Sequence, residues 1–134
     1  MATFVVDGGL AIVTDGLAGG SVTEPLHIGW GTGAGTTTAT DTTLFTEKLV
    51  DLTTSAGTDH TLGTSSRQTT STTNDTYRVT GTRTASGGSG TVTNAGLFDA
   101  ASGGNLFLKG DFTGVGLADG DGISFTFNAQ FNQA

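Results

Sequence analysis

Between Ile123 and Asn132 the chain alternates strictly: Ile123, Phe125, Phe127, Ala129 and Phe131 are interleaved with Ser124, Thr126, Asn128, Gln130 and Asn132. A period of two puts every apolar side chain on one face of an extended segment, which predicts a β-strand with one buried and one wet side. Just upstream, Leu106, Leu108 and Phe112 share a parity with Gly110, while Asn105, Phe107, Lys109 and Asp111 share the other. That predicts a second strand, with Phe107 the one apolar residue on its polar side. The glycines Gly114 and Gly116 and the run Asp119-Gly120-Asp121-Gly122 supply turn chemistry between the two. The expectation is a closing antiparallel hairpin, with a bulge or turn near Gly114–Leu117 and a tight turn at Asp119–Gly122.

A chain of 134 residues fits one domain spanning 1–134 with a modest core, since a domain of that size buries roughly two-thirds of its unfolded surface. Abundant Thr and Gly favour short strands joined by turns. Charged residues make up 13% and the formal net charge is −7, with five Lys and Arg spread along the chain. Nucleic-acid binding needs clustered cations, so no nucleic-acid partner is expected. The absence of cysteine excludes a disulfide framework or thiolate metal site and fits folding in a reducing cytoplasm. Met1-Ala2-Thr3-Phe4 lacks a basic n-region, and no apolar run approaches ~20 residues. The expectation is a chain that is neither exported by a usual signal nor membrane-bound.

Taken in order, Phe4-Val5-Val6 is a short β-prone run, either an edge strand or an arm (residues 1–6) reaching onto a neighbour. From Asp7 to Gly20, Leu10, Val13 and Leu17 fall at i, i+3 and i+7, with Asp7 as N-cap and Gly19-Gly20 as stop. This predicts an amphipathic helix, with a strand over Leu10–Thr14 as the competing reading. Leu26, Ile28 and Trp30 define a strand to Gly31, followed by the loop Gly31-Thr32-Gly33-Ala34-Gly35, which lacks any phosphate-loop register. Thr40–Glu47 predicts one or two helical turns capped by Thr40 or Asp41, with Leu44 and Phe45 dipping into the core. Leu49, Val50 and Leu52 begin another strand. Thr53–Asn74 is too polar to pack a core alone and is either an exposed strand pair anchored by Leu62 or a mobile loop. A half-buried strand follows over Asp75–Ala85, with Tyr77, Val79 and Gly81 on one face and Arg78, Thr80, Thr82 and Thr84 on the other. Ser86–Gly90 then turns the chain into Thr91-Val92-Thr93. The fold expected is mainly β: an antiparallel sandwich, jelly-roll- or Ig-like, with one short N-terminal helix.

At Thr93–Leu106 the chain reads TNAGLFDAASGGNL, which resembles a recurring segment of small tailed-bacteriophage structural proteins. In that group a strand ending in a GLFDAASGG turn leads into a hairpin. Ile28–Gly33, Ala39–Leu44 with Glu47, the Asp7–Gly20 stretch and the closing strand resemble the same group, so that only Thr53–Asn74 stands outside. The resemblance implies a virion component: a head decoration (cement) protein, a tail component or a fibre piece. The physical reading of the segment is turn construction. Gly96 permits close backbone approach, Leu97 and Phe98 insert into the core, Asp99 closes an Asx-type turn and Ser102-Gly103-Gly104 reverses the chain.

Catalytic and metal-binding patterns are weak. His27 and His60 lie in no H-x-H or H-E-x-x-H spacing and read as a strand residue and a loop residue. Asp119–Asp121 lacks the further ligands of a calcium loop and reads as a turn, and Gly87-Gly88-Ser89-Gly90 is no nucleophile elbow. A carboxylate pair of the glycosidase type stays open among the twelve acidic residues. Trp30 is expected in the core, or else anchoring a contact between subunits. The resulting expectation is a non-enzymatic decoration protein without cofactor or metal. It would be made in the host cytoplasm and sit as a homotrimer on the outer capsid surface, touching the major capsid protein and copies of itself. Phe4, Val5, Val6 and Trp30 are its candidate contact residues. The alternative is a tail or fibre component contacting host glycans, and a third reading is a glycan-cleaving enzyme.

Overall fold

The computed structural model describes residues 2–55 and 59–133. Two antiparallel sheets face each other. The larger contains β1 (Thr3–Val5), β2 (His27–Gly31), β3 (Glu47–Lys48), β4 (Thr61–Leu62), β7 (Gly90–Phe98) and β8 (Leu106–Leu117), in the order β1-β8-β7-β2, with β3 and β4 sharing the far edge of β2. The smaller contains β5 (Thr64–Gln68), β6 (Thr76–Thr84) and β9 (Gly122–Gln130), in the order β5-β6-β9. The expected sandwich is therefore present, and so is one helix, α1 (Asp7–Leu17).

Between the sheets, Ile28 and Leu97 pair directly, as do Trp30 with Ala95 and Leu97 with Leu108. They meet Val79, Phe127 and Ala129 from the smaller sheet, all of them buried. Cross-strand partners share a face, so each pair presents one continuous apolar surface to the opposing layer. The outer face of the larger sheet is covered too. The loop after β2 lies on it at Leu44 and Phe45, seating Leu44 against Phe98, Leu106 and Val6 in a second cluster. Gly31 makes this possible, because a Cβ there would collide with the carbonyl oxygen of Phe45 lying directly above it. Asn94 fastens the same point: its Oδ1 accepts the Phe45 N–H at 3.0 Å and its Nδ2 donates to the Phe45 carbonyl at 3.1 Å.

Several local expectations change on contact with the fold. The Asp119–Gly122 turn forms, with Gly120 at φ 94 and Asp121 Oδ2 accepting the Ala118 N–H at 2.9 Å. It does not close a hairpin, however: β8 pairs with β7 and β1, whereas β9 crosses to the other sheet and pairs with β6. The bulge or turn expected around Gly114–Leu117 appears at its leading edge: between the pairs Val92–Val115 and Asn94–Asp111, β8 carries Phe112, Thr113 and Gly114 against Thr93 alone. A second register shift falls at Leu97/Phe98, where Leu106 alone is aligned with Phe98 and Phe107 is the extra residue. That shift turns Phe107 inward onto Tyr77, edge to face at 5.9 Å, which is why parity misplaces it. Thr40–Glu47 forms turns rather than helix, and Leu49–Leu52 turns at Leu52 (φ 61) rather than starting a strand. Thr53–Asn74 contributes β4 and β5, but Leu62 is exposed and anchors nothing; residues 56–58 of it lie outside the described residues. Phe131 leaves the strand pattern, its N–H donating to the Asp75 carbonyl at 2.9 Å, and its ring is 49% exposed.

Helix α1 is capped at Val6, with Asp7 in the first turn rather than at the N-cap as expected. Gly19 and Gly20 end it in a Schellman arrangement, Gly20 N–H to the Asp15 carbonyl and Gly19 N–H to that of Gly16. The helix presses its Gly9–Ile12 side on β8, and at Gly9 a Cβ would overlap the Phe107 carbonyl. Of the expected stripe, Val13 is half-buried against the core, whereas Leu10 and Leu17 consequently point to solvent at 53% and 83% exposure.

Candidate functional site

Two features stand out: an apolar groove beside α1 and a set of charge pairs beneath the Thr32–His60 excursion. The groove encloses about 400 Å³ and is lined by Ile12, Val13, Gly16 and Leu17 from α1, Val22, Glu24 and Pro25 from the following loop, and Tyr77, Phe107 and Phe131 opposite. Its volume lies within the range of ligand and side-chain docking clefts, roughly 300–1,000 Å³. It exists because close packing at Gly9 holds the N-terminal half of α1 against β8, whereas Gly16, further along the same helix, meets only Val22 at 3.5 Å. Tyr77 donates to Glu24 Oε1 at 3.1 Å at the rim. Burial, with the Glu24 carboxylate beside it, pushes the Tyr77 phenol well above its ordinary value, so it keeps its proton. Glu24 is the one carboxylate of the lining, and no nucleophile–base pair opens into it. The groove is suited to holding apolar groups.

The charge pairs join the excursion to the sheets. Lys109 Nζ donates to Asp41 Oδ2 at 2.9 Å and to the Thr43 carbonyl at 2.8 Å, over the Phe45 ring. That contact with the Lys109 ammonium holds the Asp41 carboxyl below the usual carboxylate range. Arg83, on the inward parity of β6 and 1% exposed, donates to Asp59 Oδ1 at 2.8 Å, Thr61 Oγ1 at 2.9 Å and the Lys48 carbonyl at 3.4 Å. Its guanidinium carbon lies 5.0 Å from the Trp30 ring centroid. His60 stacks on Phe98 at 4.0 Å, with Nδ1 facing the Ala100 carbonyl and Nε2 facing Glu47 Oε2, both at 2.9 Å. Both of its ring nitrogens are occupied and its side chain is 1% exposed, so the pair offers nothing to a substrate or metal. Among the described residues no group of His, Asp or Glu converges as a metal site, and Asp119 and Asp121 spend a carboxylate oxygen each on the backbone N–H groups of Gly87 and Ala118.

The four candidate contact residues separate. Phe4, on the edge strand β1, is 41% exposed, and Val5 is half-buried. Val6 and Trp30 are wholly buried, Trp30 with its indole N–H donated to the Leu49 carbonyl at 3.1 Å, so neither presents surface to a neighbour. The groove was missed by sequence reasoning because its lining comes from α1, a loop, β6, β8 and the C-terminal end. Its one local signal is the Leu10–Val13–Leu17 spacing. Compared with known proteins, the chain matches no family model, no curated protein and no solved structure.

Proposed function

We propose that this chain is a non-enzymatic structural component of a tailed-bacteriophage virion, a decoration protein that binds the outer surface of the assembled head as a trimer and stabilises it. The observation that carries the reading is the place of the segment resembling that group. Its residues form the second half of β7 and the turn that leads into β8 in the larger sheet, closed by Asp99 Oδ1 accepting the Asn105 N–H at 2.6 Å. The net charge of −7 suits an outward-facing surface rather than one packed on nucleic acid. Such a protein works by mass action: a module that binds only the closed shell stabilises it by its binding free energy, and several linked contacts raise the avidity. Heating particles with and without the protein tests this. Genome release at a higher temperature from decorated particles is expected, and equal release would overturn the reading.

A tail or fibre component is the second reading. It is favoured by the outer face of the smaller sheet, where Thr64, Thr80 and Thr126 lie in one cross-strand row and Thr82 and Ser124 in the next, all uncovered. A hydroxyl-rich flat face can hydrogen-bond a polar surface such as host glycan. Locating the chain in particle density separates the two.

A further inference from the structure

We infer that the groove beside α1 is a docking site for a segment of a partner protein that carries large apolar side chains next to a Lys or Arg. The inference stands apart from the virion reading, because it follows from the chemistry of the groove and is tested on the isolated chain. Apolarity comes first. Leu17, Val22 and Phe131 line the groove while 83%, 44% and 49% exposed, and Leu10 extends the stripe along the helix. An amphipathic helix normally turns such a stripe into the core; here packing at Gly9 commits the neighbouring Gly9–Ile12 side of α1, so that Val13 is half-buried against the core while Leu10 and Leu17 stay uncovered.

Charge then chooses the occupant. No Lys or Arg precedes Lys48 in the sequence, so α1 and the loop that walls the groove carry Asp7, Asp15 and Glu24 with no cation of their own. The C-terminal end of α1 lies at this groove, and a helix C-terminus behaves as roughly half a negative charge. Asp15 sits in that last turn, which has no basic residue. Negative potential is thus concentrated on this side: Glu24 lines the groove, the helix terminus ends at it, and Asp15 adds its charge from the same last turn, outside the lining. The basic residue nearest by register is Arg67, opposite Tyr77 on β5, an exposed side chain outside the lining. Like charges gathered around an apolar cleft repel a second copy of this chain, whose own stripe is flanked by the same acids. They attract an apolar anchor flanked by cations, which also relieves the mismatch at the helix end.

The test is selection of displayed random peptides on the intact chain, followed by anisotropy measurements with the enriched peptides. Enrichment of Leu, Phe, Met or Trp beside Lys or Arg is expected. Leu17→Asp, at a solvent-exposed position, should abolish binding. Asp15→Lys combined with Glu24→Gln should weaken it roughly tenfold while the apolar lining stays intact, and added salt should weaken the wild type in the same direction. Circular dichroism melts of both variants confirm that they remain folded. Failure to enrich any sequence, enrichment without basic residues, or an affinity indifferent to the charge changes would overturn the inference. So would sedimentation showing a self-associated wild type that Leu17→Asp makes monomeric, since that result assigns the groove to a second copy.

Discussion

Replacing Arg83 by Met tests how the two layers are held together. The guanidinium extends from β6 of the smaller sheet to Asp59, to Thr61 on β4, to the Lys48 carbonyl at the end of β3 and, at 3.5 Å, to the Ile28 carbonyl on β2. Met fills similar space and keeps apolar contact with Trp30, so the cavity contribution is small. What is lost is the donor set. Breaking a buried ion pair by removing one partner costs about 3–5 kcal/mol, and each buried carbonyl left without a donor costs about 1–3 kcal/mol before water relaxes in. The Asp59 side chain is 37% exposed and regains water, which limits the penalty on the anion. The expected loss for Arg83→Met is therefore about 3–5 kcal/mol, a large part of the 5–15 kcal/mol typical of a domain. Asp59→Asn keeps one acceptor oxygen for the fork but takes the anion from a buried guanidinium and the second oxygen from the Val50 N–H, so it should cost about 1–3 kcal/mol, less than loss of the whole donor set. Arg83→Lys, which retains charge but not the fork, should fall between. Urea unfolding with matched m-values measures all three. An Arg83→Met variant within about 1 kcal/mol of wild type, or an Asp59→Asn variant as damaged as Arg83→Met, would refute the argument that the fork's many bonds, rather than the single ion pair, staple the sheets.

Further outcomes follow from the same geometry. Gly9→Ala should destabilise by about 1–3 kcal/mol through overpacking on the Phe107 carbonyl, whereas Gly16→Ala should be neutral or stabilising by up to about 1 kcal/mol; equal melting shifts would mean that α1 does not press on β8 at Gly9. Phe127→Ala should cost about 3–5 kcal/mol, and Phe131→Ala, at a half-exposed ring, under about 1 kcal/mol, read by the same urea titration. The backbone N–H of Thr70, with those of Thr72 and Ser71 and the Gln130 amide, holds the Asp75 carboxyl far below its usual range, and Thr54 in the same way lowers Asp51 to about 2. A depressed folded-state pKa adds stability that is present above the unfolded value near ~4 and is lost as pH falls toward the folded value. The stability difference between wild type and Asp75→Asn should thus be largest at neutral pH and shrink on acidification toward about pH 2; a difference constant with pH would rule this out.

Much of the fold can be read residue by residue. Alternation locates β2, β6 and β9, because a half-buried strand writes its two faces directly into its sequence. Turn chemistry locates the Asp99–Asn105 and Asp119–Gly122 reversals, yet only the first joins neighbouring strands. A turn dictates that the chain reverses; whether the next strand stays in its sheet depends on a layer elsewhere, and for β9 that layer is β6. Parity fails at Phe107 because a register shift displaces it; at Lys109 and Arg83 it gives the face, but burial of a charge there depends on carboxylate partners 68 and 24 positions away. The helix was legible from its spacing, but its orientation was not. Two adjacent glycines, Gly8 and Gly9, let the backbone itself approach β8, and that outweighs the apolar stripe that would otherwise have faced inward. The groove is the consequence of that rotation of the helix about its axis, and for the same reason has no contiguous signature.

The chain passes from one sheet to the other between β4 and β5, back between β6 and β7, and over again between β8 and β9, while β1 waits for Thr3 to meet Gly110. The larger sheet therefore cannot complete its strand order before β8 (Leu106–Leu117), nor the smaller before β9 (Gly122–Gln130), so each layer depends on pairings between distant parts of the chain. Assembly of this kind closes late and all at once, on the slower millisecond-to-second scale of chains dominated by distant pairings.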